Sequence, residues 1–312
     1  MMLNRRYFLR NVAVVGSAIG LSFDLPKKQT EPLSDLPISC QQYPWQTFLE
    51  REGKEWKKNL AASMEQVAAS GFTGFEPSIN SIVDIGMIQP FLSKNKLQSP
   101  SIYVNSTLHD PEESKKNVDT IVRLAQTAKA LGVEIIVTNP DPIRWGGDED
   151  KTDAQLQVQA KALNELGAGL RAAGLRLAYH NHDAEMRNSA REFHHMMLGT
   201  DPENVGLCLD AHWIYRGSGN SQVALFDIVK LYQDRIVELH LRQSKNGIWT
   251  EAFGPGDIDY EKLAGILAAN EQKPHLVLEQ AIEKGSPKTM TGLEAHQLGL
   301  AYTQKIFADF GK

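Results

Sequence analysis

Four short apolar runs in the second half of the chain each end in residues that bind metal ions or move protons. They are LRLAYHNHDAE (Leu175–Glu185), VGLCLDAH (Val205–His212), IVELHLR (Ile236–Arg242) and HLVLEQ (His275–Gln280). Glu279 follows Leu276-Val277-Leu278, and Asp210 follows Leu207-Cys208-Leu209. A carboxylate at the end of a buried strand needs a cation, a metal or several donors. For Asp210 the plainer role is capping of the next loop. His240 sits inside an apolar run and alone would be a satisfied core histidine. Beside two matching carboxylates it reads as a ligand, because imidazole and carboxylate together suit Mn, Co, Zn or Mg. The segment His180-Asn181-His182-Asp183-Ala184-Glu185 adds several more donors. Alternation places His180 and His182 on one side, with Glu185 reaching back from the loop. Glu185 is the expected fourth ligand, since three carboxylates and one histidine make a hard site open to a diol, and His180 is the alternative. Glu76, His109, Asn139, His180, His182, His212 and Arg242 stand at or just past strand ends, placed to bind substrate hydroxyls, with Trp45, Trp145 and Trp213 as apolar walls.

Residues about a hundred positions apart meet around one ion only if their strand ends converge, as they do at the mouth of a parallel barrel. From Leu36 onward, short strand-like runs alternate with longer helix-like segments about eight times. The strand candidates are 36–40, 73–76, 101–105, 133–138, 175–180, 205–209, 236–241 and 275–279. Between them, Glu55–Ser70 carries apolar residues at helical spacing and is stopped by Gly71, a device repeated at Gly132 and Gly174. Pro111 opens a helix with Glu112 and Glu113 in its first turn, where negative charge suits the dipole, running to Leu131. Thr152–Ala173 is long and alanine-rich. The expected fold is α/β, a single-domain (β/α)8 TIM barrel over residues 36–312. A doubly wound open sheet is disfavoured, because no glycine-rich phosphate loop follows any strand and the polar strand ends are spread along the chain.

With 312 residues, 42% hydrophobic and 23% charged, the chain can bury one large core. A net charge of -5 argues against a nucleic-acid partner, which would require a basic surface, and favours a small ligand. Cys40 and Cys208 fall on strands that are not neighbours and read as two buried thiols. Residues 1–24 read as a twin-arginine export signal: Asn4-Arg5-Arg6-Tyr7-Phe8-Leu9-Arg10 precedes a weakly apolar stretch, Val12–Phe23. Residues 25–35 are a polar linker. The expectation is a periplasmic protein without a stable membrane anchor after processing, since the apolar run is short and no cysteine closes it. An oligomer is compatible with the sequence.

The motifs resemble those of the xylose isomerase-like barrel family of sugar phosphate isomerases and epimerases. Tyr179–Glu185, Leu207–Trp213, His240-Leu241-Arg242, Leu278-Glu279 and the strand 2 entry Gly71–Glu76 carry the likeness, which spans roughly residues 36–310. The resemblance implies a divalent ion, commonly manganese, held at Glu185, Asp210, His240 and Glu279. It implies a sugar substrate whose α-proton leaves to give an enediolate, with Glu185 and Glu279 as the acid/base pair. Gln243 departs from the pattern, many members having Asp there, and His212 alters the spacing after strand 6. Neither change touches the expected ligands. A lyase or hydrolase acting on 3-keto-glycosides would use the same ion and enediolate, and a non-catalytic sugar-binding barrel is the contrasting class. A DNA-repair endonuclease of the same superfamily would need more metal-binding histidines and a basic groove. The acidic balance and a Gly254-Pro255-Gly256-Asp257 stretch without a nearby histidine speak against it.

Overall fold

The structure is a computed structural model and describes residues 37–311; the signal and linker expected at residues 1–35 lie outside them. Eight parallel strands form one sheet: β1 (Ser39–Gln41), β2 (Gly74–Glu76), β3 (Ser101–Tyr103), β4 (Ile135–Thr138), β5 (Arg176–His180), β6 (Val205–Asp210), β7 (Ile236–Leu241) and β10 (His275–Leu278). Their order is β2-β1-β10-β7-β6-β5-β4-β3. The remaining seam closes through backbone bonds beside β2 and β3. Phe75 N donates to Gln98 O (2.9 Å), Ile79 N to Tyr103 O (2.8 Å) and Tyr103 N to Pro77 O (3.0 Å). The sheet is therefore a barrel, as the alternating pattern predicts. Each of the eight strand candidates coincides with or overlaps a strand: β7 matches its candidate end to end, β1 and β6 run one residue past theirs, and the other five are shorter than their apolar runs.

Among the described residues ten α-helices surround it: α1 (Gln42–Arg51), α2 (Leu60–Ala69), α3 (Ile82–Asn95), α4 (Pro111–Ala128), α5 (Asp153–Ala172), α6 (Arg187–Leu198), α7 (Ala211–Gly217), α8 (Gln222–Tyr232), α9 (Tyr260–Ala269) and α10 (Gly292–Ile306). The expected start signals act as such. Asp110 caps α4 by accepting from the backbone N–H of Glu112 and Glu113, both at 2.9 Å, and Pro111 follows it. Thr152 and Gln155 form a reciprocal capping box on α5. The stops are left-handed glycines, Gly71, Gly132 and Gly174, at φ +92°, +81° and +73°. No described helix is long and apolar enough to cross a membrane.

A hairpin after β7, β8 (Ser244–Lys245) paired with β9 (Ile248–Trp249), has no counterpart in the expected plan. Its two-residue turn is Asn246-Gly247, both at positive φ (54° and 78°), the chemistry a tight hairpin demands. Asp257 braces it, accepting from Ser244 Oγ (2.7 Å), Asn246 N (2.8 Å) and Gly247 N (2.8 Å). The chain passes so close here that a Cβ on Gly256 would lie 2.2 Å from Ser244 O, which gives the Gly-Pro-Gly-Asp stretch a structural purpose.

Most core residues fill the space between barrel and helices. A smaller apolar cluster, Ile135, Val137, Ala178 and Cys208, lines part of the barrel interior. Beside it the interior is polar, with Ser39, Glu76, Ser101, Glu238, His240 and His275 all buried. Branched aliphatic side chains usually fill this volume. Both cysteines are buried free thiols, as expected.

Candidate active site

Register brings the ligand candidates together. Asp210 is paired with His240 across β6 and β7, Cys208 with His180 across β6 and β5, and Leu278 with Leu241 across β10 and β7. Glu279 continues β10, its N–H donating to Leu241 O at 3.0 Å. Four adjacent strands thus deliver His180, Asp210, His240 and Glu279 to one place, with one donor atom from each within 4.8 Å of all the others. Every one of the four is buried.

The fourth member of this group is His180, the alternative, and Glu185 stands outside it. Both Glu185 oxygens are occupied: Oε1 accepts from Asn139 Nδ2 (3.0 Å) and Oε2 from the His182 N–H (2.7 Å). Burial and the charge of Glu192 push its carboxyl up to about 7. The His180 ring, by contrast, is fully buried with neither nitrogen hydrogen-bonded, and Asp210 Oδ2 is equally unpartnered. His180 Nε2 lies 3.8 Å from both Asp210 Oδ2 and Glu279 Oε2. That is too long for a hydrogen bond, yet it suits atoms that share an ion at about 2.0–2.2 Å each. Unmet buried acceptors facing one another are costly without a cation, so the residues present fit a divalent ion. Two imidazoles with two carboxylates are compatible with Mn, Co or Zn. Burial lowers the His180 ring to about 4, so it is neutral near pH 7, as a ligand must be.

Glu279 holds the densest set of contacts. Its Oε2 is 2.9 Å from His240 Nδ1, and its Oε1 is 2.8 Å from Arg242 Nη2. Burial alone would raise its carboxyl, but Arg242 and His240 hold it well below the usual range. Arg242 Nε donates to the Glu279 backbone O (3.0 Å), and its guanidinium lies over Trp249 (4.3 Å) and Trp213 (5.1 Å). The hairpin that was not anticipated therefore supplies one wall of the site.

The other expected site residues divide. His182 is close, its ring 4.9 Å from His180 and flanked by Trp145 (5.1 Å) and Trp213 (5.4 Å). His212 is buried among Trp213, Tyr215 and Trp249 with both nitrogens unpartnered, and burial takes it to about 2. Glu76 lies beneath His240, accepting from Ser101 Oγ at 2.7 Å. Asn139 ties His180 O (2.9 Å) to Glu185, which makes it a brace. His109 stands outside the four-residue group, and burial together with the charge of Lys151 lowers its ring. Trp45 is no wall of the mouth: it stacks on His296 of α10 at 3.9 Å and donates to Cys40 Sγ. Gln243, which departs from the resemblance, is structural. Its amide bonds Ile258 O (2.9 Å) and Ile258 N (3.1 Å) and so anchors the loop beyond the hairpin.

Sequence reasoning assigned no role to Asn181, Glu238 or His275. The Asn181 side chain bonds both backbone groups of Asp210, at 3.1 and 3.2 Å, and locks β5 to β6 at ligand level. Glu238 sits two residues before His240 on one face of β7, so the strand period was the available signal.

Barrel and strand-end cluster together define a parallel α/β-barrel protein with its polar site at the C-terminal mouth. The chain belongs to the xylose isomerase-like TIM barrel family, whose profile matches residues 64–300. Among curated relatives, the inosose dehydratases of Clostridium perfringens and Clostridium botulinum strain Alaska E43 are 24% and 26% identical over 258 residues, 73% of this chain and 83% of each. Among solved structures it is similar to a xylose isomerase-like TIM barrel protein from Mycobacterium smegmatis in complex with magnesium (TM-score 0.68, 16% identity, 88% of this chain and 98% of that one). It is also similar to an L-ribulose 3-epimerase (TM-score 0.66, 16% identity, 88% and 95%) and to 3-keto-D-glucoside 4-epimerase from E. coli (TM-score 0.61, 16% identity, 80% and 95%).

Proposed function

We propose that this chain is a divalent-metal-dependent isomerase or epimerase of a keto-sugar or keto-glycoside, acting by removal of the proton beside the ketone. The observation that carries the reading is the convergence of His180, Asp210, His240 and Glu279, with Arg242 clamped on Glu279. These four residues would hold the ion; when bound, it supplies positive charge to a carbonyl oxygen and so acidifies the adjacent C–H. Glu279, kept ionised by the Arg242 guanidinium, is the proton acceptor. The free Nη1 of Arg242 is a donor for a substrate oxygen. Trp213 and Trp249 hold that guanidinium in place and offer apolar faces to a sugar ring.

Elimination is the second reading, and a specific observation favours it. Epimerisation draws on acid/base groups on two faces of the carbon, whereas Glu279 is the one glutamate in the four-residue group and Glu185 lies outside it. One carboxylate at the α-carbon suffices to start a β-elimination, and the relatedness to inosose dehydratases points the same way. Incubation with a panel of keto-sugars and 3-keto-glycosides plus Mn in deuterated water, followed by NMR, tests both. Deuterium next to the carbonyl in an intact product is the expected result, and release of the group two bonds away would mark elimination. Neither exchange nor release from any member of the panel would refute the proposal.

A further inference from the structure

Beneath the site, the barrel interior holds a string of buried polar side chains that the proposed reaction does not use. His240 stands at its top with its two ring nitrogens in different surroundings. Nδ1 faces the mouth, 2.9 Å from Glu279 Oε2. Nε2 faces the interior, 3.1 Å from Glu238 Oε1 and 3.2 Å from Glu76 Oε1. The string goes on from Glu238 Oε2 to His275 Nδ1 (3.0 Å), and from His275 Nε2 to Ser39 Oγ (3.0 Å) and the Pro37 carbonyl (3.1 Å). A carbonyl only accepts, so Nε2 of His275 is the donor there. Four strands contribute: β7 gives Glu238 and His240, β10 gives His275, β1 gives Ser39 and β2 gives Glu76. Glu76, Glu238 and His240 are fully buried.

For fold stability alone this is a poor way to fill a barrel. Buried ion pairs are often matched or bettered by well-packed apolar residues of the same volume, and aliphatic layers are the usual filling. Histidines that bind ions, however, commonly donate their second ring N–H to a carboxylate, which fixes ring orientation and makes the first nitrogen a better donor to the ion. The two nitrogens of His240 are divided in that way.

We infer that Glu238 is a positioning residue for the ion site: it accepts the Nε2 proton of His240 from below, so that the Nδ1 lone pair is presented to Asp210, His180 and Glu279. Glu76 is the second acceptor, and His275 with Ser39 braces Glu238. The inference rests on the ion-site reading above. Its test compares wild type, Glu238→Leu and Glu238→Gln by Mn titration, and by 15N spectra of the histidine rings in the Zn-loaded protein. In E238L the Mn dissociation constant should rise roughly 10- to 100-fold, the usual effect of losing such a partner. The His240 Nε2–H signal should exchange faster with water or give way to binding through Nε2. In E238Q the amide oxygen can still accept that proton, so most of the affinity and the wild-type ring spectrum should return. If E238L does not fold, Glu238→Met, closer in shape, carries the same expectation. Wild-type Mn affinity together with an unchanged His240 spectrum in E238L would overturn the inference. Uptake of two ions by the wild type, one of them lost in E238L, would overturn it too, by making the deeper carboxylates a site of their own. Absence of Mn binding by the wild type would overturn the site reading and this inference together.

Discussion

Exchanging the roles of His180 and Glu185 gives the structure its sharpest test, because the two side chains lie in one segment and are bonded in opposite ways. Glu185 accepts two hydrogen bonds, from Asn139 Nδ2 at 3.0 Å and the His182 N–H at 2.7 Å, in a buried position. In Glu185→Gln the carbonyl oxygen can serve one of these donors while the new NH2 faces the other. One buried donor is left unmet, at a cost of about 1–3 kcal/mol. For a domain of this size each kcal/mol moves Tm by about 2–4 °C, so Tm should fall by roughly 2–12 °C. Ion affinity should change little, since neither oxygen belongs to the ligand group. In His180→Ala no hydrogen bond is lost, because neither ring nitrogen has a partner. The ion loses a ligand, and its affinity should fall by more than the roughly 10- to 100-fold typical of supporting residues. Calorimetric unfolding with a chelator present, so that binding does not shift Tm, is paired with Mn titration of the folded variants. Full Mn affinity in H180A alongside its loss in E185Q would refute this assignment and restore Glu185 as the ligand.

Asp210 both faces the ion site and caps α7, accepting from Trp213 N at 2.9 Å. In Asp210→Ala the ligand oxygen and the capping oxygen both go, so metal analysis should show the ion lost and unfolding should show a stability loss of about 0.5–2 kcal/mol; full occupancy would contradict the ligand role. Glu251 accepts from Arg51, Thr289 and Met290. Burial would raise its carboxyl, but these partners hold it below the usual value. A carboxyl depressed in the fold stabilises above its unfolded pKa, and that contribution is lost as pH falls through the lowered value. Unfolding scans from pH 7 to 3 should therefore show a shallower acid loss in Glu251→Gln; identical pH curves would count against it. We propose that the paired arginines direct export, so Arg5→Lys with Arg6→Lys should retain the protein in the cytoplasm, and fractionation that still finds it outside would refute the signal.

What was legible in the sequence was whatever ends an element. Gly71, Gly132, Gly174, Asp110-Pro111 and Thr152 mark chain reversals with local chemistry, and the helices stop or start there. Asp210, His240 and Glu279 were legible because a charged or imidazole group interrupts an apolar run. Choosing between His180 and Glu185 was not, since both sit in one polar segment and the choice turns on where the loop after β5 travels. Asn139 and the backbone of His182 claim Glu185 first. Trp45 looked like a sugar wall because a lone aromatic carries no direction; its partner His296 lies 251 positions later on α10. The Asn246-Gly247 turn was a readable hairpin signal, hidden because its strands are two residues each. Glu238 and His275 escaped because a buried polar string is visible only once four strands are placed side by side.

In the proposed reaction Glu279 takes a proton from the carbon next to a ketone in an ion-dependent site. Solvent-deuterium exchange by Glu279→Gln, measured with the ion content of the same sample, tests it most directly. The amide keeps the shape and a carbonyl oxygen but cannot take a proton. The ion should remain, and exchange should fall by about 10²- to 10⁴-fold, the usual span for losing a general acid/base. An E279Q protein that holds its ion and exchanges at the wild-type rate would show that another group moves the proton, and the account of this site would be wrong.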